Sequence, residues 1–137
     1  MTPRLAIIAG MSMLAGVADA AGAEAVVCTP AYYYNSSEAV PLVIAIDADR
    51  MAGSEVTWID LESGAYRQTI GAADGRIVDE GTLSIVNPGS MQERIDFVAL
   101  NASTGLLLHL SFVDAGLPFT RVDAEGTVAS GYCEYAP

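Results

Sequence analysis

Residues 94–113 read RIDFVALNASTGLLLHLSFV. In the first half Ile95, Phe97 and Ala99 occupy alternate positions, so an extended chain presents them on one face. In the second half Leu106, Leu108, Leu110 and Phe112 share one face, and Leu107, His109, Ser111 and Val113 share the other. Between them NASTG, residues 101–105, is turn chemistry: short polar side chains that bond their own backbone, then a glycine. Two alternating runs joined by such a turn predict an antiparallel hairpin.

The same period extends outward in both directions. PLVIAIDA, residues 41–48, is dense in β-branched residues. EVTWIDL, residues 55–61, puts Val56 and Trp58 on one face and Thr57, Ile59 and Leu61 on the other. ESGA turns, and YRQTIG follows. AADGR carries Asp74-Gly75, a pair suited to the positive φ of a tight hairpin. GTLSIV comes next, then NPGS, where Pro88 presets φ and Gly89 accepts a type II turn. FTRVDAEGTVASGYC, residues 119–133, supplies one or two closing strands. SEAVPLVIAI has a helix-like start, but Pro41 and the β-branched run oppose a helix. The expectation is one all-β domain over residues 26–137, of about seven to nine short strands. Its form is a small antiparallel up-and-down barrel or a two-layer sandwich.

Ahead of that domain, MTPR carries one positive charge, Arg4, and an uncharged apolar run follows from Leu5 to Ala18. The small-x-small sites Ala18-Asp19-Ala20 and Ala23-Glu24-Ala25 come next. This is the pattern of a secretory signal peptide over residues 1–20, with cleavage as late as residue 25. The run is too short to span a bilayer. The domain is therefore expected in a periplasmic or secreted location, with no membrane span in the mature chain.

Only two cysteines occur, Cys28 and Cys133. In an exported chain an isolated pair reads as one disulfide, here tying the two ends of the domain together. All six basic residues are arginine, against 17 acidic ones, for a net charge of −11. Such a charge repels phosphate backbones and anionic lipid, which argues against nucleic acid and membrane-surface roles; the stronger reading of it is a generic acidic secreted protein, the weaker one a surface that steers a basic protein as partner.

The residues offer little catalytic chemistry. There is no G-x-S-x-G elbow, and S-x-x-K is impossible without lysine. His109 is the only histidine and sits in mid-strand, where it reads as a sheet residue. Asp47 and Asp49 begin like a calcium loop, but the fifth, sixth and twelfth positions hold Met51, Ala52 and Trp58. A loose calcium site of Asp47, Asp49 and Glu55 is the weaker reading, and a solvated hairpin loop the stronger. Asp60 and Glu62 flank a turn, and Asp79 and Glu80 are read the same way. A small carboxylate-dependent hydrolase would need two such acids across a cleft. No catalytic residue, metal ligand set or cofactor is assigned. Asn35-Ser36-Ser37 and Asn101-Ala102-Ser103 fit the glycosylation acceptor pattern.

The stretch AYYYNSS is unusual. Consecutive tyrosines alternate faces, so either Tyr32 and Tyr34 bury while Tyr33 points out, or the reverse. Edge-strand packing of these amphipathic rings over the core is the stronger reading; the other, since exposed tyrosines mark recognition surfaces, makes Tyr32, Tyr33 and Tyr34 the binding candidates.

VVC, LVIAIDAD, VTW, IDFVALNASTGLLLHLSF and GTVASGYC together resemble uncharacterised small exported β proteins of proteobacteria. Those share an early cysteine, an I-D strand, a polar-x-T-G turn and a final G-x-C. Their turn often carries an arginine where this chain has Asn101. The resemblance implies secretion, β structure and a terminal disulfide, and no activity. The expected architecture is also similar to periplasmic lysozyme inhibitors, although their serine- and lysine-bearing inhibitory loop has no counterpart here. The expected function is an exported, non-enzymatic domain with a binding or structural role. A periplasmic inhibitor of a basic cell-wall enzyme such as lysozyme is its more specific form.

Overall fold

The computed structural model describes residues 24–35, 42–90 and 92–137. Residues 1–20, read above as a signal peptide, and Ser36 and Ser37 of the first acceptor motif lie outside them. In chain order the elements are β1 (Ala25–Asn35), β2 (Leu42–Ala45), α1 (Ala48–Met51), β3 (Glu55–Asp60), β4 (Ala65–Ile70) and β5 (Ile77–Thr82). They continue with β6 (Ser84–Asn87), β7 (Phe97–Asn101), β8 (Leu106–Leu110), β9 (Pro118–Val122) and β10 (Thr127–Tyr135). The ladder thus begins at Ala25, one residue ahead of the expected boundary.

The hairpin of residues 94–113 forms as β7 and β8, with Phe97 opposite Leu110 and Ala99 opposite Leu108. Phe97, Ala99, Leu106, Leu108, Leu110 and Phe112 are all buried. Ile95 departs from the expectation: it precedes the strand, pairs only with Ser90 as an isolated bridge, and is 41% exposed. Arg94 just before it takes a positive φ of 58°, which breaks the alternation there.

The strands run antiparallel in the order β5-β4-β3-β1-β10-β9-β8-β7-β6, and β2 pairs with the far half of β1. The two outermost strands of this order, β5 and β6, are consecutive in the chain and separated by Leu83 alone. One bent segment therefore borders both edges, and the sheet curls into a nearly closed barrel. The bend is held at Gly64, whose carbonyl accepts the Leu83 N–H at 2.9 Å. A Cβ on Gly64 would meet the Leu83 carbonyl oxygen at 2.2 Å, and Gly64 has φ 83°, so the crossing requires glycine. Of the two expected forms, the barrel is the one observed. Nine strands make up the barrel path, within the expected seven to nine, and β2 lies off that path against β1.

At the middle of the sheet Cys28 and Cys133 are directly opposed on β1 and β10 and joined by the expected disulfide, 105 residues apart in the chain. The barrel interior is divided. Val26, Ile59, Leu83, Phe97, Leu110 and Phe119 form its apolar part around the bridge. Thr57, Gln68 and Arg121 are buried on the same inward faces nearer the opposite mouth. No helix among the described residues is long and apolar enough to cross a membrane.

Two local expectations are corrected. The β4–β5 turn takes its positive φ at Gly71 (84°) and not at the Asp74-Gly75 pair. Residues 47–52, expected as an open loop, form the single helical turn α1, capped by the Asp47 carboxylate on the Arg50 N–H at 2.9 Å. Gly89, by contrast, has the positive φ (69°) expected of NPGS.

Candidate functional site

The mouth of the barrel at the far end of β1 collects the polar interior residues. Arg121 follows Phe119 at alternate spacing on β9 and so points inward, where it is 4% exposed. Its guanidinium donates to Thr57 Oγ1 at 2.8 Å and to the Glu55 carbonyl at 3.4 Å, and lies 3.9 Å from the Glu55 carboxylate. The Glu55 N–H in turn donates to the Tyr33 hydroxyl at 3.4 Å. Gln68, opposite Thr57 in the ladder, is 5% exposed, and its Nε2 has no hydrogen-bond partner among the described residues.

Above these groups opens a cavity of about 230 Å³, bordered by Glu55, Gln68, Asp79, Thr104, Asp123 and Glu125. Asp79 and Glu80 are expected to flank a turn; both instead lie within β5, opposite Gln68 and Arg67 of β4. Asp79 accepts the Tyr66 hydroxyl at 3.0 Å. Burial, then the hydrogen bond and negative charge of Asp79, push the Tyr66 phenol up to about 12.

A phenol whose pKa is higher folded than unfolded keeps its proton in the folded chain. Its stabilising contribution is therefore full below its ordinary value of 10.0 and is lost as pH rises towards about 12. Thermal melts across that range are expected to show the native chain losing stability relative to Tyr66→Phe, which cannot ionise. Parallel pH profiles for the two would show that the phenol is not held up.

The outer surface carries the tyrosines. The register of β1 against β10 shifts between Pro30 and Tyr32, so Tyr33 turns inward and Tyr32 and Tyr34 turn out. Tyr32 is 49% exposed, and Tyr132 on the neighbouring strand is 60% exposed. The two border a shallow groove lined also by Pro118, Thr120 and Ser130. Tyr132 was not singled out in the sequence, although its place next to the inward Cys133 implies an outward ring. Trp58 also faces out, but the Arg67 guanidinium covers it at 4.3 Å from the ring centre.

The remaining candidates separate. Asp47 and Asp49 sit on α1, whereas Glu55 turns into the barrel mouth beside Arg121. Among the described residues no group of three or more histidine, cysteine or acidic side chains is arranged to hold a metal ion. Asp60 bonds the N–H groups of Glu62 and Ser63, which fixes the β3–β4 turn. Asn101 does the same for Ser103 and Thr104.

His109 Nε2 lies 2.9 Å from Asp96 Oδ2, and the other Asp96 oxygen accepts the Phe112 N–H at 3.2 Å. The hydrogen bond from His109, with that from Phe112, holds the Asp96 carboxyl below its ordinary value against the opposing effect of burial. A nucleophilic triad needs the histidine between serine and aspartate. Here Ser111 and His109 both address Asp96, so the group clamps the start of β7 to the end of β8. Comparison with family models, with curated proteins and with solved structures gives no match.

Proposed function

We propose that the chain is an exported, non-enzymatic β domain that binds a basic protein through its outer face, an enzyme of the cell wall such as lysozyme being the first partner to test. The observation that carries this reading is the groove between Tyr32 and Tyr132. Exposed, amphipathic rings supply contact area at low entropic cost and serve as anchors at interfaces. The acidic excess supplies attraction: a net charge of −11 draws a cationic partner and speeds encounter at low salt. Glu134 stands two residues beyond Tyr132 on the same face of β10 and is exposed.

Binding to lysozyme is the test. Tyr32→Ala and Tyr132→Ala are expected to raise the dissociation rate roughly tenfold or more with the fold intact, because both rings are surface anchors. Raising the salt concentration is expected to slow association while leaving that ratio unchanged. Equal dissociation rates for the variants and the parent would remove the outer face as the contact. Full lysozyme activity at near-equal molar ratio and physiological salt would end the inhibitor form of the reading.

A further inference from the structure

The barrel mouth combines two features with different chemical demands. Four carboxylates, Glu55, Asp79, Asp123 and Glu125, border its cavity, and no basic side chain does. Arg121 is buried beneath, committed to Thr57 and Glu55. The carboxylates favour a cation. Their own partners use only part of their capacity: Asp79 takes the Tyr66 hydroxyl, and Asp123 Oδ1 takes the Glu125 and Thr127 N–H groups. Each carboxylate can accept about four hydrogen bonds.

Gln68 makes the second demand. It borders the cavity, is 5% exposed, and its Nε2 has two N–H groups with no acceptor among the described residues. Buried donors in folded proteins almost always have partners, so an orphan at the wall of a cavity points to an acceptor supplied from outside. A metal ion cannot meet that demand, since it has no acceptor to offer an N–H. An anionic acceptor would be repelled by the four carboxylates. One molecule with a positive nitrogen for the rim and a neutral oxygen for the floor would meet both demands at once.

We propose that the barrel mouth is a binding site for a small primary amine that also carries hydroxyl or carbonyl oxygen, of amino-sugar or amino-alcohol type, with its ammonium among Glu55, Asp79, Asp123 and Glu125 and an oxygen accepting from Gln68. The cavity volume of about 230 Å³ is below the usual range for drug-sized ligands and suits a single monosaccharide-sized group. This site lies inside the mouth, apart from the tyrosine groove on the outer face, and does not depend on a protein partner.

The probe is glucosamine, titrated into the intact protein by calorimetry at low salt. N-acetylglucosamine serves as the uncharged control and hexylamine as the cation without oxygen. Glucosamine is expected to bind at least tenfold more tightly than either control. Glu125→Gln is expected to weaken it severalfold without affecting the fold, since Glu125 is exposed. Gln68→Leu is the sharper variant. It removes a buried donor that has no partner, so the melting temperature is expected to hold or rise while glucosamine affinity falls at least tenfold. Three results would each overturn the proposal: no glucosamine binding at millimolar concentration, hexylamine binding as well as glucosamine, or a Gln68→Leu variant that binds glucosamine unchanged. A marked loss of melting temperature in Gln68→Leu would also overturn it, by showing that the amide is bonded within the protein. A chitosan oligomer binding as tightly as free glucosamine would place the amine at a polymer end, and failure of the oligomer would restrict the site to the free molecule; in both cases the assigned chemistry stands.

Discussion

Reduction of the Cys28–Cys133 bridge is expected to lower the melting temperature by roughly 15–20 °C. The bridge closes a loop across 105 residues of sequence. In the chain-entropy model a loop near that length stabilises by about 4.7 kcal/mol, because the cross-link removes conformations from the unfolded chain. At roughly 4 °C per kcal/mol for a domain of about this size, the shift follows. The double variant Cys28→Ser/Cys133→Ser should reproduce it. Before reduction a thiol reagent should find no reactive cysteine, since neither is free. A shift of only a few degrees would mean that the unfolded chain keeps its ends close without the bridge.

The second large effect is expected at Phe97→Ala, with a loss of about 3–5 kcal/mol. Phe97 is the largest of the fully buried side chains and sits opposite Leu110 in the β7–β8 pair. Its removal gives up the transfer of an aromatic ring from water and leaves a cavity that the surrounding strands cannot collapse to fill. Denaturant melts should show a lower midpoint with an unchanged slope. Ile95→Ala is the internal control. Alternation places Ile95 on the same face as Phe97, but it lies outside β7 and is 41% exposed. Its cost is expected within about 0.5 kcal/mol, as for other surface positions. Equal costs at the two positions would mean that the strand and its inward face extend back to residue 95.

The difference between Ile95 and Phe97 shows where sequence reasoning reaches its limit. A period of two assigns faces within a strand, and for β8 burial follows it, with Leu106, Leu108 and Leu110 all buried; in β3 the adjacent Val56 and Thr57 are both buried, so burial there does not alternate. It does not mark where a strand starts. The positive φ of Arg94 that ends the alternation stands directly before the Ser90–Ile95 bridge, with no glycine to signal it. Closure was equally hidden. GTLSIV reads as one short strand, and nothing in its composition indicates that Leu83 divides it between two neighbours.

The mouth cavity was partly legible. Arg121 is two residues from Phe119, and Gln68 two from Tyr66, so alternation places both on inward faces. An arginine and a glutamine are ordinarily assigned to solvent, however, and only the three-dimensional neighbours Thr57 and Glu55 explain why an arginine can remain inside. The tyrosine triplet was legible as an alternation, but not its phase. The register shift between Pro30 and Tyr32 sets that phase, and it depends on how β1 meets β10.

That meeting of β1 with β10 has a kinetic side. The two strands stand at opposite ends of the described chain, yet each is the other's neighbour in the sheet. During synthesis β1 emerges first and waits with one flank unpaired until almost the whole sequence has followed. Such distant pairing must overcome the loss of chain entropy before any contact rewards it, which places folding in the slow range of about milliseconds to seconds. Until β10 arrives the barrel cannot close, and the bond between Cys28 and Cys133 has to wait for nearly the whole sequence.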